Sequence, residues 1–121
     1  MIGSLNLSLA DRIVDATAEA IMVTNEHNLI VRINPAFTRI TGYTPEEALG
    51  KPPSLLSSGK QSPRFYEDMW FALTHRGYWQ GEIWNKRKSG EIFAEWVSIN
   101  VLRDEQGTIT NHVAFFSDIT L

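Results

Sequence analysis

Cysteine is absent from the 121 residues, which excludes disulfides, thiolate zinc sites, iron–sulfur clusters and a cysteine nucleophile. Long apolar runs are missing too. The longest, Met69–Leu73, has five residues, against the roughly 20 that a transmembrane helix needs. The opening Met1-Ile2-Gly3-Ser4 has neither the basic region nor the apolar block of a secretory signal. A cytoplasmic location without membrane contact is therefore expected. Nor is there an excess of positive charge: 14 acids stand against 11 bases, for a net charge of −3. Without a broad cationic surface to displace counterions from a phosphate backbone, nucleic acid is not an expected partner. The three histidines, His27, His75 and His112, fall at no metal-ligand spacing, so no metal site is expected. No repeat or low-complexity tract is visible, and the length suits one domain.

What is present is ordinary for a folded domain. Apolar residues make up 43% of the chain, charged residues 21%, and there are four Trp, three Tyr and six Phe. That is enough to bury a core. Leu5, Leu9, Ile13 and Ala16 recur at helical spacing, which predicts an amphipathic lead-in helix within residues 1–18, ahead of a domain over 19–121. Ala20–Thr24 and Leu29–Ile33 are β-branched runs joined by Asn25-Glu26-His27-Asn28, a hairpin signal. Three helices are then announced by Asn34-Pro35, Thr44-Pro45 and Ser62-Pro63. Each pair sets a capping side chain before a proline whose missing N–H costs nothing at the first helical position. Glu47, three residues after Thr44, completes a capping box. The longest helix, near 63–76, carries Phe65, Met69, Trp70 and Leu73 on one face. After Gly77 the period changes to two, with strands near 79–87, 91–103 and 109–118 joined by glycine-bearing turns. Two blocks of strands around a helical middle predict an α+β fold, one antiparallel sheet with helices over one face.

Strand alternation identifies the candidate site. In 91–103, Phe93, Glu95, Val97 and Ile99 share a face, as do Ile83 and Asn85 in the strand before it and Ala114 and Phe116 in the last strand. If helices cover that face, Asn85 and Glu95 point inward, where an unpaired polar group costs about 1–3 kcal/mol. Either they bond each other, a helix end or buried water, or they line a ligand cavity. The opposite face shows Trp84, Trp96, Val113 and Phe115. Such a patch is covered either by the lead-in helix or by a second copy of the chain.

A catalyst would need convergent groups, such as a serine with a histidine base or two carboxylates in one cleft. The acids are otherwise placed: Glu46 and Glu47 in a helix first turn, Glu67 and Asp68 on a polar helix side, Asp104 and Glu105 in a turn. No glycine pattern forms a phosphate-binding loop, and the domain is not expected to be an enzyme.

The order β-β-α-α-α-β-β-β, the stretch Asn34-Pro35-Ala36-Phe37 with Ile40-Thr41-Gly42-Tyr43, the strand Trp79–Gly90 and the closing Asp118-Ile119-Thr120 together resemble the PAS domain family over residues 10–120. The resemblance implies a five-stranded antiparallel sheet with helices over one face, a pocket between them, and a sensory role that regulates a separate output domain. The segments Leu55–Lys60 and Trp79–Asn85 are most similar to PAS modules of bacterial proteins that make or degrade a cyclic dinucleotide (GGDEF/EAL proteins of cyclic di-GMP signalling). Histidine kinases of two-component systems carry similar modules. The light-sensing LOV subtype needs a cysteine for its flavin adduct, and this chain has none. Redox-sensing flavin members share the Trp79-x-Gly81 and Asn85-x-Arg87-Lys88 pattern and a carboxylate at the position of Glu95. That likeness makes FAD one candidate cofactor, with Asn85 at the polar edge of the ring, Glu95 at a ring N–H, and Trp79 stacked on the ring. Trp79 also reads as a core aromatic at the start of a strand. Val97 and Phe116 complete the candidate cofactor set. Haem, held by a histidine near the end of the long helix, would fall to His75, which also reads as a solvated residue favoured by the helix dipole. A cofactor-free module that dimerises through the lead-in helix and the Trp84, Trp96, Val113 and Phe115 face is the other reading.

Overall fold

The computed structural model describes residues 8–120. Helix α1 (Leu9–Ala16) precedes β1 (Ala20–Thr24) and β2 (Ile30–Ile33), followed by α2 (Pro35–Thr41), α3 (Pro45–Ala48), a 3-10 turn (Pro53–Leu56) and α4 (Pro63–Arg76). Strands β3 (Tyr78–Lys86), β4 (Ile92–Arg103) and β5 (Ile109–Asp118) close the chain. The five strands form one antiparallel sheet in the order β2-β1-β5-β4-β3. The first and last strand blocks therefore join through β1 and β5, a pairing that no local signal specifies.

The caps act as their residue types predict. Asn34 Oδ1 accepts from the Phe37 N–H, Ser62 Oγ from the Phe65 N–H, and Glu47 accepts from the Thr44 N–H. Gly42 and Gly77 end α2 and α4 in the left-handed conformation, at φ +87° and +80°, where glycine has no steric penalty. The 3-10 turn was not evident from the sequence.

The core lies between the sheet and α2–α4, around Phe37, Ile30, Leu73, Phe93 and Phe116, all buried. Phe37 meets Phe116 edge to face at 5.7 Å. Each edge strand is met at one end by the segment between the helices, which takes up part of the backbone that would otherwise invite strand pairing. On β2, Ile30 N–H donates to Lys51 O and Gly50 N–H to Ile30 O, each at 2.8 Å. On β3, Gln61 Oε1 accepts from Trp84 N–H at 2.7 Å while Gln61 Nε2 donates to Trp84 O at 3.0 Å, and Ser58 Oγ donates to the same carbonyl.

Two helices dock in ways that their periodicity alone does not specify. The predicted α1 stripe does not face the domain: Leu9 is 68% and Ile13 56% exposed, Ala16 is exposed, and Leu5 lies outside the described residues. Helix α1 is held instead by its polar side. Arg32 Nη1 bonds Asp11 Oδ1 at 2.6 Å, and Asn34 Nδ2 donates to Val14 O at 2.9 Å. On α4, Trp70 stands at the border of the core, partly in solvent, while Ala72 joins Met69 and Leu73 inside.

Candidate functional site

Between the sheet and α4 lies a cavity of about 290 Å³. Met22, Ile99, Ala114 and Phe116 supply its sheet wall, Met69, Tyr66 and Trp70 its α4 wall, and Leu56 and Ser57 its rim. Asn85 lines it near that rim and pairs with Ser57 as an isolated antiparallel bridge. The other walls are apolar apart from Asn28, Ser54, Ser57 and the Tyr66 hydroxyl, and no charged side chain is among them. This is the usual make-up of a small-molecule site, an apolar chamber with a few polar groups to fix orientation.

Asn85 and Glu95 meet as the strand alternation requires. Asn85 Nδ2 donates to Glu95 Oε1 at 2.7 Å, which leaves the Asn85 carbonyl oxygen as the acceptor available to the cavity. The two side chains bond each other, and Asn85 also lines the cavity while Glu95 does not. Glu95 stands behind it, 0% exposed, with Oε2 lacking any partner among the described residues. Burial pushes its carboxyl up to about 7; the Asn85 hydrogen bond opposes that, nearby Asp118 adds to it, and Arg87 also opposes it.

The same strands tie this pair to the end of the chain. Glu95 lies opposite Asp118 in the β4–β5 register. Arg87 bonds Asp118, Glu91 and the Ile40 carbonyl and lies 3.9 Å from the Phe93 ring centre. Partial burial resists ionisation of Asp118, yet hydrogen bonds from Arg87 and Thr120 hold its carboxyl below the usual range. Thr120 Oγ1 in turn accepts from the Ala94 N–H at 2.9 Å. The closing Asp118-Ile119-Thr120 is thereby fastened to β4 and to Arg87 just beyond β3, one residue away from Glu95.

Of the candidate set, Asn85, Val97 and Phe116 line the cavity, and Glu95 supports Asn85 from behind. Trp79 is placed elsewhere. Its ring packs edge to face on Phe65 at 5.6 Å and lies over Gly81, where a Cβ would come within 2.8 Å of the indole. His75 is exposed on α4, stacked on Phe71 at 4.0 Å and bonded to the Phe71 carbonyl, outside the cavity walls. Among the described residues no group of three or more His, Asp or Glu is placed to hold a metal ion, and no helix is long and apolar enough to cross a membrane. The sequence reading missed Met22, Tyr66 and Met69 as cavity walls, and also His112 and Thr24, which border a smaller adjoining space.

Comparison with known proteins agrees with this architecture. The family model described as "PAS domain" matches residues 18–121. The chain is 32% identical over 108 residues to the "Nitrogen fixation regulatory protein" of Klebsiella oxytoca, covering 89% of this chain and 22% of that protein. It is 30% identical over 111 residues to the "Blue-light-activated histidine kinase" of Brucella canis, covering 89% of this chain and 23% of the kinase. The crystal structure of a PAS domain from Colwellia psychrerythraea superposes with a TM-score of 0.86 at 24% identity, covering 92% of this chain and 94% of that one. The chain thus spans less than a quarter of the length of these two curated relatives.

Proposed function

This chain belongs to the PAS domain family, whose members are sensory modules and not catalysts, and on that premise we propose that it detects a small ligand or a redox state in the cytoplasm for a bacterial signalling protein. Residues 19–121 form the sensory domain and residues 1–18 its lead-in. The covalently linked output is a histidine kinase or a GGDEF/EAL cyclic di-GMP enzyme. The reading is supported above all by the position of Asn85, which offers a hydrogen-bonding group to an apolar chamber and is backed by a buried carboxyl.

A ligand biases an output only by binding two states of the domain unequally. Here a group that competes for the Asn85 amide would alter the partner of Glu95, which lies opposite Asp118 at the end of the last strand. Occupancy and the C-terminal junction are therefore joined through two side chains. A flavin ring suits the chamber chemically, with Asn85 at its polar edge, Val97 and Phe116 against its apolar surface, and Glu95 and Trp79 as supports behind the walls. When bound it would supply redox chemistry. No cation lines the cavity to neutralise phosphate, so the phosphates of FAD would lie outside it. Replacing Asn85 with Leu should abolish uptake of FAD or of a co-purifying small molecule, and, because it leaves the buried Glu95 without its partner, should also cost about 1–3 kcal/mol of stability. Undiminished loading of Asn85→Leu would overturn the assignment.

A second reading, a cofactor-free dimerisation module, is favoured by the apolar surface left open on α1 and by Trp84 and Trp96, which are exposed on the outer sheet face beside half-buried Val113 and Phe115. Helix α1 is tied to Arg32 and Asn34. A second copy of the chain would then cover these groups. Changing Trp84 and Trp96 together to Gln should shift the mass in light scattering to that of a monomer, and an unchanged mass would clear that face.

A further inference from the structure

A smaller space of about 70 Å³ adjoins the main cavity and shares Met22, Met69, Trp70, Ile99 and Ala114 among its walls. Two of its other walls are polar. Thr24 ends β1 and His112 lies near the start of β5, directly opposite each other in the antiparallel register, which sets their Cβ atoms about 5 Å apart. Thr24 is 2% exposed. Neither Thr24 Oγ1 nor His112 Nδ1 has a hydrogen-bond partner among the described residues, although buried polar groups in folded proteins are nearly always paired.

The surroundings limit what can satisfy them. The Trp70 and His112 rings meet edge to face at 5.2 Å and 85°. Asn28, in the left-handed region at φ +58°, lines both spaces. Burial lowers the pKa of His112, so the ring is neutral near pH 7 and offers one donor and one acceptor. No Asp, Glu, Lys or Arg lines either space. A charged group entering there would lose its hydration with no ion to offset the cost.

We propose that Thr24 and His112 form a second polar subsite, at the β1–β5 end of the cavity, which takes the uncharged hydroxyl, carbonyl or amide end of a compact and largely apolar ligand. The proposal rests on the main cavity being a ligand site. It adds that the ligand is recognised at a pole other than Asn85 and carries no charge inside the protein.

The test uses two probes of the same shape, biphenyl and 4-hydroxybiphenyl, titrated into the whole chain and followed by tryptophan fluorescence and by the ring nitrogen shifts of His112. The hydroxyl compound should bind about tenfold more tightly than biphenyl, the value of one hydrogen bond, and should move the His112 nitrogens. In Thr24→Val, which keeps the shape and removes an unpaired hydroxyl, and in His112→Phe, that advantage should fall to within about twofold while biphenyl still binds. A retained melting temperature in Thr24→Val shows that the fold is intact. An advantage that survives both variants, or one lost only in Asn85→Leu, would overturn the subsite and leave the cavity standing. If neither probe binds, the cavity reading fails and the subsite with it.

Discussion

Glu95 has one oxygen bonded to Asn85 and the other without a partner among the described residues, in a wholly buried position, and this has a thermodynamic signature. Its carboxyl holds a proton up to about pH 7 in the folded chain, against an ordinary 4.5. Between those values the folded state keeps a proton that the unfolded state has released, so stability falls as pH rises through this window and levels off above it. A shift of that size corresponds to about 3 kcal/mol. Glu95→Gln, which can still accept from Asn85, should lose the slope between pH 4.5 and 7 and exceed the wild type at pH 8 by about 1–3 kcal/mol. Urea unfolding at several pH values measures this, and an unchanged slope in the variant would refute it. The inward aim of Asn85 and Glu95 was legible in the period-two alternation of two strands. That of Thr24 and His112 was not, because they become neighbours only when β1 pairs with β5 across almost the whole chain. Trp79 shares the inward parity of Ile83 and Asn85, but the missing side chain at Gly81 lets its ring lie along the strand instead.

At the scale of elements, helix starts were readable because proline and a capping side chain act within four residues, whereas the docking of a helix depends on distant partners. Helix α1 shows the difference. Its periodicity is real, but the bonds that hold it come from Asp11 and the Val14 carbonyl to Arg32 and Asn34. Asn34 also accepts from the Ile21 and Phe37 N–H groups and donates to Glu19 O, joining α1, β1 and α2. Asn34→Ala leaves the buried Ile21 N–H unpaired and removes the amide that joins Val14 and Glu19 to α2, and should cost about 1–3 kcal/mol. Hydrogen exchange should show α1 and the start of α2 opening first. Equal protection of α1 in the variant and the wild type would refute this. On β3, Gly81→Ala drives a methyl group into the Trp79 ring and should destabilise by about 1–3 kcal/mol, measured by the urea midpoint; a neutral effect would mean that the indole moves freely.

Over the whole molecule, the fold class and strand order around a helical middle followed from patterning, while the sheet order and the open outer face required the tertiary structure. Among the described residues, α1 leaves Trp96 45% exposed, and the outer face and the α1 stripe are both open. Leu9→Glu with Ile13→Glu should dissociate any dimer built on that stripe by at least tenfold in Kd while leaving the melting temperature of the domain nearly unchanged, since neither side chain is buried. Analytical ultracentrifugation would report it, and an unaltered dimer would exclude α1 from the interface. The central claim concerns the chamber between α4 and the sheet. Its most direct test is a 300–700 nm absorbance spectrum of freshly purified protein, before and after incubation with FAD and removal of the excess, with mass spectrometry of the denatured supernatant. A stoichiometric small molecule that is released from the wild type and missing from Asn85→Leu is the predicted result. A blank spectrum and an empty supernatant after incubation would contradict it and leave the dimerisation module as the account of this domain.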